Sequence, residues 1–402
     1  MPRNRGVVSN WSATGARPVR VSATEPIALV LVSNEVEQNE MFYFDSIDEA
    51  LAGFIGAKQI DGKARTLSDI KAGIADGSIK GNLFKYLVWT TNKYEIVVPT
   101  VISVAKYSDD EAELKTNIID AIASIRYAPS KFKVRPDIIG VADYTSDVDI
   151  ANQYAATLGM LKARGFIDLK ATNGSDAKTK RDQFGSERLT PVYSNLEDWN
   201  TLTDSEDEYS ANYILSIFRC VVDASDTVRQ IGWSFSLSNK ELPVKDAVGD
   251  VDFVLGLGDE TDFLTQNQIT SFIEQKGTRV WNYQTCSADP LLQDARRVRI
   301  FDKLSMAVLD AIFPLIDSDN GVKAVKEAKA TIKNFVMDMI GKEVLIGGEI
   351  ELDTNLTTPS AINDGKFYFK VLAQENPTPT LIGVEFNRVD KYSSIVYKTI
   401  NS

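Results

Sequence analysis

The run Ile27-Ala28-Leu29-Val30-Leu31-Val32-Ser33 constrains this chain more than any other stretch. It lacks the apolar–polar alternation of a half-exposed strand, so a strand formed here has to be covered on both faces. Helices flanking a sheet meet that need, and the following sequence supplies them. Residues 46–54 predict a helix, with Ser46 as N-cap and Glu49 three positions later in capping-box spacing. Helical patterns also occupy residues 67–89 (interrupted by Gly73, Gly77 and Gly81), 110–125, 148–163 and 210–222. Strands are expected at 96–104, 136–142, 166–170 and 189–193. This alternation predicts a mainly parallel or mixed sheet with helices on both faces. Residues 171–186 read as a polar, solvated loop. The acidic run 204–208 stands just before a helix, where it either complements the helix N-terminus or forms a partner site.

Residues 242–251 are rich in Pro, Gly and Asp and read as a linker, placing a boundary near residue 245. Past it, Phe263, Ile269, Phe272 and Ile273 recur near helical spacing, with Lys276-Gly277 as basic last turn and C-cap. A short β-prone run follows at 278–281, then a loop punctuated by Asp289-Pro290. The next helix carries Val298, Phe301, Leu304, Val308, Ile312 and Leu315 on a broad apolar face, and Pro314 limits its length. Arg296, Arg297 and Arg299 sit in its first turns, where the macrodipole disfavours each cation by about 0.3–1 kcal/mol. A negative group is therefore expected beside them: Asp294, Asp302 or another chain.

Residues 321–340 predict a helix with Val325, Ala328, Ile332, Val336 and Met339 on one face. At about 100° per residue, Lys326, Lys329 and Lys333 fall within roughly 60° of one another. Either an ordinary solvated face or a basic docking ridge fits that pattern. Residues 343–352 alternate as a strand, and 366–372 with 381–386 read as a final antiparallel pair. The end of the chain holds Ile395, Val396, Tyr397, Thr399 and Ile400, a β-forming sequence. At the other end, residues 1–24 contain Arg3, Arg5, Arg17 and Arg20 and no acid, with Val7, Val8, Trp11, Val19 and Val21 among them. This is either a solvated basic tail or an arm that docks on something acidic.

The formal charge of −12 argues against general nucleic-acid binding and against an anionic membrane surface. The absence of histidine removes His-dependent triads, acid–base work and His-based zinc sites. Cys220 and Cys286 are too far apart for a Cys-x-x-Cys motif, and read as buried, reduced thiols consistent with a reducing cytoplasm. No secretory h-region follows Arg3 and Arg5, and no apolar run reaches the roughly 18 residues of a membrane span. Phosphate-loop spacing is missing around Gly62-Lys63, and Gly256-Leu257-Gly258 continues into acids instead of a third glycine. No cofactor or metal is expected. On these grounds alone, an assembly protein and a cytosolic α/β enzyme with a C-terminal α+β domain both remain open.

One further pattern decides between them. Gly277, Arg279, Trp281, Thr285 and Ser287, followed by Arg296, Arg297 and Arg299 at a helix start, resemble the C-terminal region of sheath proteins of contractile phage tails and R-type pyocins. Ser238-Asn239-Lys240 is similar to the Ser-Asn-Lys loop of that family. Asn282-Tyr283-Gln284 departs from it where Gly-Asn-Arg is frequent. The resemblance covers roughly the last 170 residues and implies a non-enzymatic structural subunit that forms a helical homo-oligomer around an inner tail tube. It implies contact with baseplate and tail terminator proteins, with neither nucleic acid nor membrane bound directly. It also implies a virion component assembled in the bacterial host cytoplasm, contracting to drive the tube through a cell envelope during genome delivery. The expected fold is α/β and α+β: an inner α+β domain built from both chain ends, with extended β-arms, and an inserted α/β outer domain. The expected divisions are an N-terminal arm at 1–25, the outer domain at 26–245, the inner domain at 246–390 and a C-terminal arm at 391–402. Arg5, Val7, Val8, Trp11, Val19, Val21, Ile395, Val396, Tyr397 and Ile400 would be the inter-subunit arm residues. Lys326, Lys329 and Lys333 would face the tube.

Overall fold

The computed structural model of the chain describes residues 25–60, 63–249, 251–254, 258–319, 321–389 and 392–400. The first part runs β1 (Ile27–Ser33), β2 (Glu40–Phe44), α1 (Ile47–Gly56), α2 (Leu83–Lys93), β3 (Thr100–Lys106) and α3 (Glu111–Ser124). It continues with β4 (Ile138–Val141), α4 (Val148–Leu161), β5 (Gly165–Asp168), β6 (Leu189–Val192), β7 (Leu196–Asn200), β8 (Ser205–Tyr209) and α5 (Ala211–Ala224). As expected from its apolar run, β1 is central. It pairs in parallel with β3, Ile27 opposite Thr100, and with β4, Ile27 opposite Ile138. β2 closes the far edge antiparallel to β3, and single bridges from Ile138 to Arg164 and from Val192 to Thr270 carry the pairing on through the parallel pair β5–β6.

The strand period of two sorts the β1 side chains between two cores. Ile27, Leu29 and Leu31 pack with α1, α2 and α5. Ala28, Val30 and Val32 pack with α3 and α4. Burying each of the larger aliphatic side chains this completely contributes roughly 1.5–3 kcal/mol.

The C-terminal part contains β9 (Ser271–Glu274), β10 (Thr278–Trp281), α6 (Ala295–Ile312), α7 (Gly321–Gly341), β11 (Leu345–Leu352), β12 (Phe369–Glu375) and α8 (Ser393–Ile400). α6, α7 and β11 enclose a third core of Ile300, Leu304, Ile332, Phe335, Val336, Met339 and Leu345, joined from upstream by Ile231 and Trp233. Past the expected linker, Phe272, Val280, Tyr283 and Ala295 still share the core of α2 and α5.

Several local expectations are corrected. Residues 271–274 are a strand and not the end of a helix. Glu260–Gln266 is helical, and β9 then pairs with β10 through a turn at Lys276 (φ 56°) and Gly277 (φ 103°). Of the acidic run 204–208, Asp204 lies in the turn and 205–208 in a hairpin strand, β8 on β7, with Asp204, Glu206 and Asp207 paired to Lys71, Lys245 and Lys85. Residues 171–186 contain a helix, Gly174–Arg181, capped by Asn173. The linker contributes a two-residue strand, Asp246–Ala247, on β7. β12 pairs with β11 instead of with 381–386, which form no regular element. The β-forming end is the helix α8, because a lone strand without a partner leaves its backbone groups unpaired, whereas a helix satisfies them locally.

Candidate functional site

The resembling residues lie on β10, on the loop beside it and at the start of α6. The Ser238-Asn239-Lys240 loop lies along β10: the Asn239 N–H donates to the Val280 carbonyl at 2.6 Å, and the Val280 N–H donates to Lys240 at 3.0 Å. Asn239 adopts φ 61°, a left-handed conformation that asparagine tolerates. Arg279 crosses this seam to the Asn239 carbonyl at 3.1 Å and to the Glu241 carboxylate at 3.0 Å. A Cβ at position 277 would press on the Glu241 side chain, so glycine suits both the turn and the close approach. Trp281 packs edge-on against Phe253. Thr285 donates to the Leu292 carbonyl at 2.6 Å and accepts from the Ser287 N–H, which fixes the loop leading into α6.

From there the chain enters a buried charge junction. Asp294 is occupied as N-cap of α6, accepting from the N–H groups of Arg296 and Arg297, and Asp302 is held by Arg164 and Arg188 at 2.6 and 2.8 Å. Asp294 is thus the negative group expected beside the first arginines, and its charge favours the Arg296 cation, whereas the direct ion pairs of Arg297 and Arg299 come from distant elements. Arg299, 1% exposed, makes a two-pronged contact with Asp223 of α5, both at 2.6 Å, and reaches Asp137 before β4 at 3.0 Å. Arg297 pairs with Glu375 of β12 at 2.6 Å. Arg296 donates to the carbonyls of Ser234 and Asn376.

Around this centre, Arg219 shares Asp223 and donates to the Gly232 and Phe235 carbonyls, while Lys303 bridges Glu25 and Asp137 at 2.7 and 3.2 Å. Gly232 is required here, because a Cβ would meet the Asp223 carbonyl oxygen at 2.3 Å. Burial would raise the Asp137 carboxyl, yet Lys303 and Arg299 hold it well below the usual carboxylate range. Burial pushes Glu25 up, against the opposing pull of Lys303. Burial would lower Arg299, but Asp223 and Asp137 keep it firmly protonated. Paired and hydrogen-bonded charges of this kind fix one relative position of α5, β4 and α6.

Asp137, Asp223, Arg219, Arg164, Arg188 and Lys303 were not singled out from sequence. Arg219 and Asp223 carried a signal all the same: charges four apart inside the apolar run of α5. The carboxyl ends of the strands, where open α/β sheets bind ligands, are filled by side chains. Asp168 accepts from the Ser210 hydroxyl at 2.6 Å and the Asn212 N–H at 2.7 Å, and Tyr86 and Asn82 donate to Asp143. Both cysteines are buried, and burial pushes the Cys286 thiol up to about 12, so neither is poised as a nucleophile.

Of the remaining expected residues, Lys326, Lys329 and Lys333 are exposed on α7, away from Ala328, Ile332 and Val336. Ile395, Val396, Tyr397 and Ile400 are exposed on α8. The N-terminal arm residues Arg5, Val7, Val8, Trp11, Val19 and Val21 lie outside the described residues.

No family model matches the chain. Among curated proteins it is 24% identical over 253 residues to a putative prophage major tail sheath protein of Pseudomonas aeruginosa (strain UCBPP-PA14), the match covering 62% of this chain and 64% of that protein. It is 23% identical over 301 residues to the major tail sheath protein of Serratia phage KSP20, covering 71% and 74%. Among solved structures, the helical sheath of the anti-feeding prophage in its contracted state superposes with a TM-score of 0.64 at 16% identity, over 97% of this chain and 100% of that one. The contracted PVC sheath complex of an extracellular contractile injection system gives 0.61 at 13% identity, over 97% and 99%.

Proposed function

From the premise that its relatives and its fold are those of contractile tail sheath proteins, we propose that this chain is a structural subunit of such a sheath, polymerising helically around an inner tail tube. The observation that carries this reading is the superposition of nearly the whole chain on sheath subunits, joined to the sheath names of both curated relatives. The enzyme alternative has no support among them. In use, the sheath contracts and drives the tube through a cell envelope, within a virion or related particle assembled in the host cytoplasm. The stored energy is conformational, so no nucleotide site is required. Baseplate and tail terminator proteins bound the lattice at its ends.

Within the subunit, the outer unit is the α/β body and the inner unit is the α6–α7–β11–β12 body together with the chain ends. Packing supports placing their division near residue 295, with Glu25 already tied to Lys303 at the junction. The exposed ridge of Lys326, Lys329 and Lys333 faces the tube and docks on acidic groups there. Replacing all three by Glu should leave the monomer folded and prevent assembly around tubes, and normal tails from that variant would sink this assignment.

The two ends serve as arms. β11 and β12 form a two-stranded sheet, so each leaves one edge unpaired among the described residues. A neighbour's arm adds a strand to such an edge. The α8 helix of the isolated chain then opens, and Ile395, Val396, Tyr397 and Ile400 are buried against the next subunit. Deleting residues 392–402 should give a soluble, folded monomer that makes no tubes. The deciding experiment for the whole reading is electron microscopy of the chain co-expressed with its tube protein. Regular helical tubes are expected, and a persistently monomeric protein would overturn the sheath reading.

A further inference from the structure

The helices α3 and α4 lie side by side and point the same way. Lys115, near the start of α3, pairs with Asp147 and Asp149 at the start of α4, at 2.9 and 2.5 Å. At the other end the Thr157 hydroxyl of α4 donates to the Ile122 carbonyl of α3 at 3.5 Å. Each helix has 14 residues, so the two ends of this layer stand about 21 Å apart. The ends differ in charge. The start carries Asp109, Asp110, Glu111, Glu113, Asp147 and Asp149 against Lys80, Lys106 and Lys115. The far end carries Arg126, Lys131, Lys133, Arg135 and Lys162, and residues 125–136 hold no acid. Arg126 donates to the Tyr127 hydroxyl, Lys131 to the Met41 carbonyl at 3.1 Å and Arg135 to the Leu161 carbonyl at 3.4 Å, all neutral acceptors. Among the described residues none of these cations makes an ion pair. Glu40, Asp45 and Asp120, on the elements packed against this end, leave the cations in excess. Helix dipoles favour this polarity, yet their effect falls off within one turn, and Lys133 and Arg135 stand beyond the last helical residue, Phe132.

We propose that the basic end of this layer docks on the acidic end of a second copy of the chain, linking α/β bodies head to tail. Clustered cations that repel one another are stabilised when a surface of opposite sign meets them. Copies of net charge −12 repel in most orientations, and the basic end is where another copy's acids are attracted. A contact between two unlike surfaces of the same chain generates a ring or a helix instead of a closed dimer. The proposal rests on the sheath reading for the lattice that brings copies together, and it adds a contact separate from the chain ends and from the lysine ridge of α7.

The test uses two variants of the full chain. Arg126→Glu with Lys133→Glu and Lys162→Glu reverses the basic end, and Glu111→Lys with Glu113→Lys and Asp149→Lys reverses the acidic one. Polymerisation around the tube protein is followed by sedimentation in low salt. Each variant alone should need about tenfold more protein to polymerise. An equimolar mixture of the two should polymerise like the unaltered chain, because each supplies the sign that the other lacks. Variants that polymerise normally by themselves overturn the proposal. So does a mixture no better than either variant, the result expected if the basic end meets the tube or another acidic partner. Where a reversal variant does not fold, Lys133→Gln with Lys162→Gln takes its place and should raise the required concentration about threefold, and no rise overturns the proposal. Should the unaltered chain stay monomeric with its tube protein, the sheath reading fails on its own account. The mixture is then read by analytical ultracentrifugation: a mixed oligomer absent from either variant alone upholds the contact, and monomers alone overturn it.

Discussion

In β1 every side chain from Ile27 to Val32 is at most 2% exposed, whereas Val371 and Leu372 of β12 are 44% and 45% exposed, and Phe386 beyond it reaches 93%. Both regions are rich in β-forming residues, so propensity does not separate them. The difference lies in what covers them. β1 has strands on both edges and helices on both faces, all from its own chain. The β11–β12 hairpin packs one face on α7, and the segment after it, with Leu381, Ile382, Val384 and Phe386, lies exposed. Contiguous apolar surface of this kind is unusual on a solitary soluble protein and marks a place that another surface covers. The first region is closed by its own chain, whereas under the proposed sheath assembly a neighbouring subunit would cover the second.

That contrast can be broken at several points. The largest effect is expected at the junction between the two regions. Asp223→Ala would leave Arg219 and Arg299 buried without their shared carboxylate, which should destabilise the chain by about 3–5 kcal/mol in urea unfolding. A loss under 1 kcal/mol would show the junction to be solvated. Leu29→Ala, in the closed region, should cost about 2–5 kcal/mol through lost burial and a cavity. An unchanged denaturation midpoint would contradict the packing of β1 described above.

A pH experiment sharpens the picture inside the α/β unit. Asp168 is fully buried, and burial pushes its carboxyl up to about 6 against the hydrogen bonds from Ser210 and Asn212. An unfolded chain has this group near 3.9. The folded form thus holds the proton more tightly: the contribution is fully present below about pH 4, is lost as pH rises through about 6, and is constant above that. Asp168→Asn does not titrate, so the variant should gain on the parent by about 1–3 kcal/mol between pH 4 and 6, whatever its constant offset. A difference independent of pH would mean the carboxyl is not raised. The smallest effect on the monomer is expected for Phe386→Ala, within about 0.5 kcal/mol, accompanied by weakened polymerisation. Equal destabilisation of monomer and polymer would place Phe386 in an intramolecular contact instead.

Much of the α/β body was legible because its signals are local. Ser46 accepts from the Glu49 N–H as its spacing suggested, Asp110 and Asp147 cap the helices that follow them, and α5 begins and ends within two residues of expectation. Lys276-Gly277 misled because a helix C-cap and a hairpin turn both need positive φ after a polar residue. The deciding factor was β10, which offered Ile273 and Phe272 a strand partner. At residues 204–208 the acids suited a helix start equally well, and Lys71, Lys85 and Lys245, distant in sequence, settled the strand.

The sequence by itself determined that β1 is a doubly covered strand in an alternating fold, that α6 opens with an unusual cluster of arginines, and that α7 carries an exposed lysine ridge. Each of these rests on periodicity or composition over fewer than about twenty residues, the range over which one element's own geometry sets the pattern. Only the tertiary structure decided which carboxylates answer those arginines. Asp137, Asp223 and Glu375 lie 162, 76 and 78 residues from the groups they bind, and ion pairing requires only that two charges meet in space. The same holds for the third core, where Ile231 and Trp233 leave the α/β body to pack with α6 and α7. Their apolar character required burial somewhere, and the chain's path through Gly232 selected the place.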